Sequence, residues 1–218
     1  MRLVNYLNER TKLDIDNLPQ ILEKCQPFIT DLVKASSTLV FLWSGREGKP
    51  DFFQSKVRKD RTPRDTPTEI HNMVDDVFQE KFGVKPRSNS IFCLLDRTGS
   101  ADYGDPYIIL PIGKYKTIWS PKIEDMFNSL DAYMKNYDIG LKLGLKQWKN
   151  LKDEEKPNQE LYDFIERLVN ESYTDKPYMQ HLNKINQPVE IMLMAEEYVA
   201  ISEEYRRKVI NTIEEKFK

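Results

Sequence analysis

Glu190 heads the apolar run VEIMLMAEEYVAIS near the end of the chain. A carboxylate held at the start of a strand can act as a general acid or base, or stabilise positive charge that develops in a substrate. Phe92, inside SIFCLL, presents a flat ring that can pack in a core or stack on a planar ligand. Ser44 and Gly45 close the run TLVFLWSG, and Arg46 follows at once. Backbone N–H groups and a guanidinium are the usual phosphate ligands. A further group is the basic stretch with Lys56, Arg58, Lys59, Arg61 and Arg64, interrupted by Asp60 and Asp65. It reads either as a solvated loop of mixed charge or as a phosphate or nucleic-acid contact, in which guanidinium forks grip phosphate oxygens. Phe52 and Phe53 just before it would then stack on bases. Each group also has a purely structural explanation: Glu190 a solvated strand start, Phe92 a core ring, Ser88 and Ser90 polar strand edges.

Other chemistries find little support. His71 and His181 are isolated, and Cys25 and Cys93 lie far apart without a C-x-x-C. No metal site is expected, since one usually needs three or four ligands, and no disulfide framework either. Glycine-rich phosphate loops, the dinucleotide fingerprint, the zinc-protease helix and the nucleophile elbow do not occur.

The elements that must position these residues are written in hydropathy and capping signals. LPQILEKCQPFITDLVKA has helical spacing, with Pro27 expected to kink or split it. TLVFLWSG is a buried strand, and residues 46–65 read as one long loop. TPTEIHNMVDDVFQEKFG predicts a helix with Thr66 as N-cap, Pro67 in its first turn, Glu69 closing a capping box and Gly83 ending it. SIFCLL is a second strand, and the polar SIFCLLDRTGSADYG continuation by itself suggests a hairpin. YIILPIGKYKTIWS is a third strand or a strand pair. Two helical stretches follow (SPKIEDMFNSLDAYMKNY and NQELYDFIERLVNESY), then the late strand 189–202 and a closing helix. Strands and helices mix without regular alternation, so the fold class is α+β. One domain is expected over 1–218: a helical segment 1–36, a core 37–202 with a helical insertion at about 121–183, and a C-terminal helix 203–218.

Taken together, LVFLWSGREG, RSNSIFCLLDRTGSADYG and QPVEIMLMA resemble the three ordered motifs of the ADP-ribosyltransferase superfamily. In that family a first strand ends in Arg-Gly or His-Gly, a middle strand carries Ser-Thr-Ser or Tyr-Phe-Ala, and a late strand begins with the catalytic glutamate. Here Phe92 is followed by Ser100, Ala101 and Tyr103 at the spacing of a Ser-Ala-x-Tyr element, and Ser88, Asn89 and Ser90 are similar to Ser-Thr-Ser. Ser44 and Gly45 fall at the first motif, with Ser44 in place of the Arg or His. Phe92 stands for the tyrosine of the polymerase branch, and Pro188 lies where a second acidic group or glutamine would precede Glu190, with Gln187 one position early. More loosely, the chain is similar to phage-encoded proteins with this arrangement. The resemblance implies a split antiparallel sheet, Glu190 as the catalytic carboxylate, NAD as substrate, and Ser44, Gly45, Arg46, Ser88, Ser90, Phe92 and Tyr103 around it. It implies ADP-ribosyl transfer to a macromolecular target, protein or nucleic acid. The missing Arg or His and the basic loop leave two further readings open: an N-glycosidase removing a base from DNA or RNA, and a non-enzymatic binding factor on the same fold.

The bulk numbers fit these readings without choosing among them. Of 218 residues, 39% are hydrophobic and 31% charged, enough apolar matter for a core. Thirty-three basic against thirty-five acidic residues leave a charge of -2, so any nucleic-acid contact must be a local patch. No run approaches the roughly 20 apolar residues of a membrane span and MRLVNYLNERTKLDID lacks a leader's apolar core. A soluble, cytoplasmic protein without membrane contact is the expectation.

Overall fold

The structure, a computed structural model, describes residues 10–36, 38–61, 66–136, 158–184 and 189–218. Strand β1 (Thr11–Lys12) precedes a short 3-10 turn, Ile15–Asn17, which Asp14 caps by accepting from Asp16 N at 3.0 Å. The first helical run breaks at Cys25 into α1 (Leu18–Lys24) and α2 (Gln26–Ala35). Pro27 lies in the first turn of α2, where a missing N–H forfeits no helical bond, so it splits the run rather than kinking one helix.

Next come β2 (Leu42–Arg46) and β3 (Phe52–Lys56). The second of these corrects the reading of 46–65 as one loop. Phe52 and Phe53 are buried strand residues opposite Ile201 and Ala200, so their rings belong to the core and are not offered to bases. Helix α3 (Thr68–Phe82) ends at Gly83 as expected, but its N-cap is Pro67 rather than Thr66. Thr66 is buried, and the Pro67 carbonyl accepts from His71 N at 2.9 Å. The chain continues through α4 (Pro86–Asn89), β4 (Ile91–Leu94), α5 (Arg97–Ala101) and β5 (Asp105–Trp119). The DRTGSADYG segment is thus a helical turn, capped by Asp96 accepting from Gly99 N at 2.6 Å, and not a hairpin tip. Helices α6 (Met126–Asn136) and α7 (Asn158–Ser172), a 3-10 stretch Tyr178–Lys184, β6 (Glu190–Ser202) and α8 (Arg206–Phe217) complete the described chain.

The fold is α+β with an antiparallel sheet. Its spine is one ladder between β5 and β6, from Tyr107↔Ser202 to Trp119↔Ile191. The ladder slips between Ile112 and Tyr115, where Gly113 takes φ 68, a backbone state that carries the extra residue of a bulge. The other edge of β6 is shared. β3 takes its C-terminal half, from Lys56↔Glu197 to Phe52↔Ile201, and β4 its N-terminal half, from Leu94↔Glu190 to Ile91↔Leu193. The edge therefore forks around Met194 to Glu196, and the chain leaves β3 there, with Val57 N donating to Glu196 O at 3.0 Å. β2 flanks β5 and touches β4 through Trp43↔Leu94.

Alternation along β6 separates two cores. Ile191 and Leu193 pack with α1, α2 and α8; Met192, between them, packs with α3, α6 and α7. The second core is tied by Lys81, whose ammonium donates to the carbonyls of Val169, Asn170 and Tyr173 at 2.8–2.9 Å and so caps the C-terminus of α7. Among the described residues, no helix is long and apolar enough to cross a membrane, and no group of three His, Cys, Asp or Glu could hold a metal ion.

Candidate functional site

The site lies beside the fork, and its floor follows from register. Leu94↔Glu190 and Phe92↔Met192 make Phe92 and Glu190 diagonal neighbours on one face of the sheet. Two guanidinium groups converge on them. Arg61 lies over the Phe92 ring at 4.0 Å and Arg87 at 5.5 Å, both within cation–π range. Arg87 Nη1 is also 3.9 Å from Glu190 Oε1, an ion pair without a hydrogen bond.

A buried network places the two arginines. Asp75 of α3 accepts from Arg87 N at 2.8 Å, Ser88 N at 3.0 Å and Ser88 Oγ at 2.5 Å, which fixes α4 against α3. The Ser88 carbonyl then accepts from Arg61 N at 3.1 Å, anchoring the far end of the loop after β3. His71 Nε2 is 3.0 Å from Ser88 Oγ and 3.6 Å from Asp75 Oδ2. These three side chains are not a nucleophilic triad. The carboxylate itself accepts the hydrogen bond from Ser88 Oγ, and His71 Nδ1, which a triad aspartate would hold, has no hydrogen-bond partner among the described residues. Burial pushes the His71 pKa down, against the pull of Asp75, so the ring is neutral. Ser88 is accordingly a structural hydroxyl in this arrangement.

Glu190 is in a different condition. Burial pushes its carboxyl up to about 7; Arg87 opposes that, Asp125 adds to it, and Arg61 opposes it more weakly. Asp125 is itself the cap of α6, accepting from Asn128 N at 3.0 Å. Glu190 Oε1, Arg87 Nε, Arg46 Nε and Ser90 Oγ are all buried without a hydrogen-bond partner among the described residues. Native proteins seldom leave such groups unpaired, so four around one spot mark a place prepared for something else. A carboxyl that titrates near neutrality between guanidinium groups can exchange a proton at pH 7, and when ionised it presents charge to a cationic centre.

The remaining expected residues fall at different places. Ser44 is 8% exposed, and Gly45 packs so closely on α5 that an added Cβ would overlap Ser100 O and the Tyr103 backbone. Tyr103 itself is 65% exposed. Arg46 extends over the Tyr198 ring at 5.8 Å and acts electrostatically on Arg61. Within the basic loop, Arg58 pairs with Asp60 at 3.6 Å and Lys59 with Glu196 at 3.5 Å, and Lys56 ends β3 opposite Glu197. Among the described residues of this group, only Arg61 turns onto the Phe92 face. Arg64, Gln187 and Pro188 lie outside the described residues. The sequence reading overlooked Arg87, Asp75 and Asp125; a lone charge in a four-residue helix has no pattern that would single it out.

Comparison with family models, with curated proteins and with solved structures finds no match for this chain, so function must be read from the side chains themselves.

Proposed function

We propose that the protein cleaves the N-glycosidic bond of a nucleotide, transferring ADP-ribose from NAD to a macromolecular target on an ADP-ribosyltransferase-like split sheet. The observation that carries this reading is Glu190. It opens β6 beside Phe92, is partly shut from water, and has its pKa lifted to about 7. In the reaction the C1′–N bond of the nicotinamide ribosyl group breaks and its electron pair leaves with nicotinamide. A nucleophile of the target bonds to C1′ and gives up its proton. Ionised Glu190 stabilises the positive charge on the ribose and can take up that proton. The leaving ring finds the Phe92 face once Arg61 has moved aside, because that guanidinium occupies the face at rest. Arg61 and Arg87 take over the anchoring that the resemblance assigns to Ser44 and Gly45, since Gly45 here packs against α5.

The test is NAD consumption together with transfer of labelled ADP-ribose into a cell extract. Wild-type protein should do both, and Glu190→Gln should lower the rate by about 10²- to 10⁴-fold while remaining folded. Wild-type protein that leaves NAD intact, with and without extract, would overturn the reading.

A further inference from the structure

We infer that the site takes one compact phosphate group of a small nucleotide ligand, held by Arg87, Arg61 and Arg46 with Ser90, and not the backbone of a nucleic-acid strand. The inference rests on the proposed nucleotide site and names its ligand class.

Unmade donor bonds are the first ground. Arg87 and Ser90 are 7% and 4% exposed, and both keep a buried donor without an acceptor, Nε in one and Oγ in the other. Arg46 Nε is in the same state. Each such group forfeits the bond it would make to water unless an acceptor arrives. Ser90 is extended and two residues before Phe92, so its side chain lies on the Phe92 side of the chain. Phosphate oxygens suit these donors, being charged acceptors that match guanidinium forks.

Charge balance is the second ground. Arg87 and Arg61 both act on Glu190, and Arg46 acts in turn on Arg61. Burial, with repulsion from Arg87, Arg46 and Arg58, pulls the Arg61 pKa down to about 10 even though Glu190 opposes it. A dianion would relieve that repulsion and compensate the burial of the guanidinium groups.

The third ground separates a small ligand from a polymer. Strand backbones are tracked by a line of available cations along a groove. Among the described loop residues the other cations are already engaged: Arg58 by Asp60, Lys59 by Glu196, and Lys56 by contacts of its own. Arg61 and Arg87 instead share the Phe92 face.

The experiment is calorimetric and thermal titration of the full chain with inorganic pyrophosphate, against sodium chloride at equal ionic strength, and in parallel with a single-stranded oligonucleotide. Pyrophosphate should raise the Tm where chloride does not. Arg61→Ala and Arg87→Met, each checked for folding by circular dichroism, should each weaken binding about tenfold. Glu190→Gln should bind pyrophosphate at least as well as wild type, because a competing negative charge is gone. Pyrophosphate no better than chloride would overturn the inference. So would an oligonucleotide that binds more tightly than pyrophosphate with a steep salt dependence. The two readings fail separately: pyrophosphate binding without NAD cleavage sinks the transferase proposal alone, and NAD cleavage without pyrophosphate binding sinks this one alone.

Discussion

Asp75 and Glu190 are both buried acids, and Arg87 is a neighbour of each, yet they are treated in opposite ways. Asp75 has a side chain 2% exposed and receives two backbone N–H groups and a hydroxyl. Glu190 has a side chain 17% exposed, faces Arg87 at 3.9 Å, and leaves Oε1 without a hydrogen bond. A carboxylate whose lone pairs are filled by the chain holds the chain together. One whose lone pairs are left open stores unfavourable free energy that a ligand can release. The difference separates scaffold from site within a single network, since Asp75 positions the arginine that Glu190 faces.

The largest effect that could break this contrast lies at Asp75. Asp75→Ala strands three donors in the interior and should cost about 3 kcal/mol or more of stability in urea unfolding. A loss below about 1 kcal/mol would show that α4 does not depend on this carboxylate.

Glu190 should respond with the opposite sign. Its folded pKa of about 7 lies above the ordinary carboxyl value of 4.5. The unfolded chain therefore releases the proton first as pH rises. The stability contribution is complete below pH 4.5 and is lost as pH climbs through 7, by up to about 3 kcal/mol. The residual solvent contact of the side chain makes that an upper value. Glu190→Gln should remove this slope and be more stable than wild type at pH 8. A wild-type protein whose stability shows no extra fall against Glu190→Gln between pH 4.5 and 8 would erase the distinction from Asp75.

The contrast between these two acids was only half visible in the sequence. Glu190 and Phe92 stood out through the motif resemblance, each at a matching place on an apolar strand. Asp75 is one charge among several on an amphipathic helix, and its role depends on α4 folding back upon it. Local signals read well where local physics decides: the break at Pro27, the end of α3 at Gly83, the long β6 run. They failed at β3, since FFQSK sits among charges and becomes a strand through its pairing with distant β6. Five cations were equally good candidates in the loop, and it is the Ser88 carbonyl, accepting from Arg61 N, that anchors Arg61 beside Phe92. Gly45 was expected to offer its backbone to a phosphate, whereas α5 packs against it.

The smallest effect carries the comparison down to two serines, Ser88 and Ser90. Ser88 Oγ serves both Asp75 and His71, whereas Ser90 Oγ is buried with no partner. Ser88→Ala should cost about 1 kcal/mol, the net worth of a buried hydrogen bond. Ser90→Ala removes an unsatisfied group and should be neutral or slightly stabilising in the same unfolding assay. The order should reverse in the pyrophosphate titration, where Ser90→Ala loses affinity several-fold while folded Ser88→Ala changes less. Equal stability losses at the two serines would mean that Ser90 is already satisfied, and the ring of open donors around Glu190 would lose one of its members.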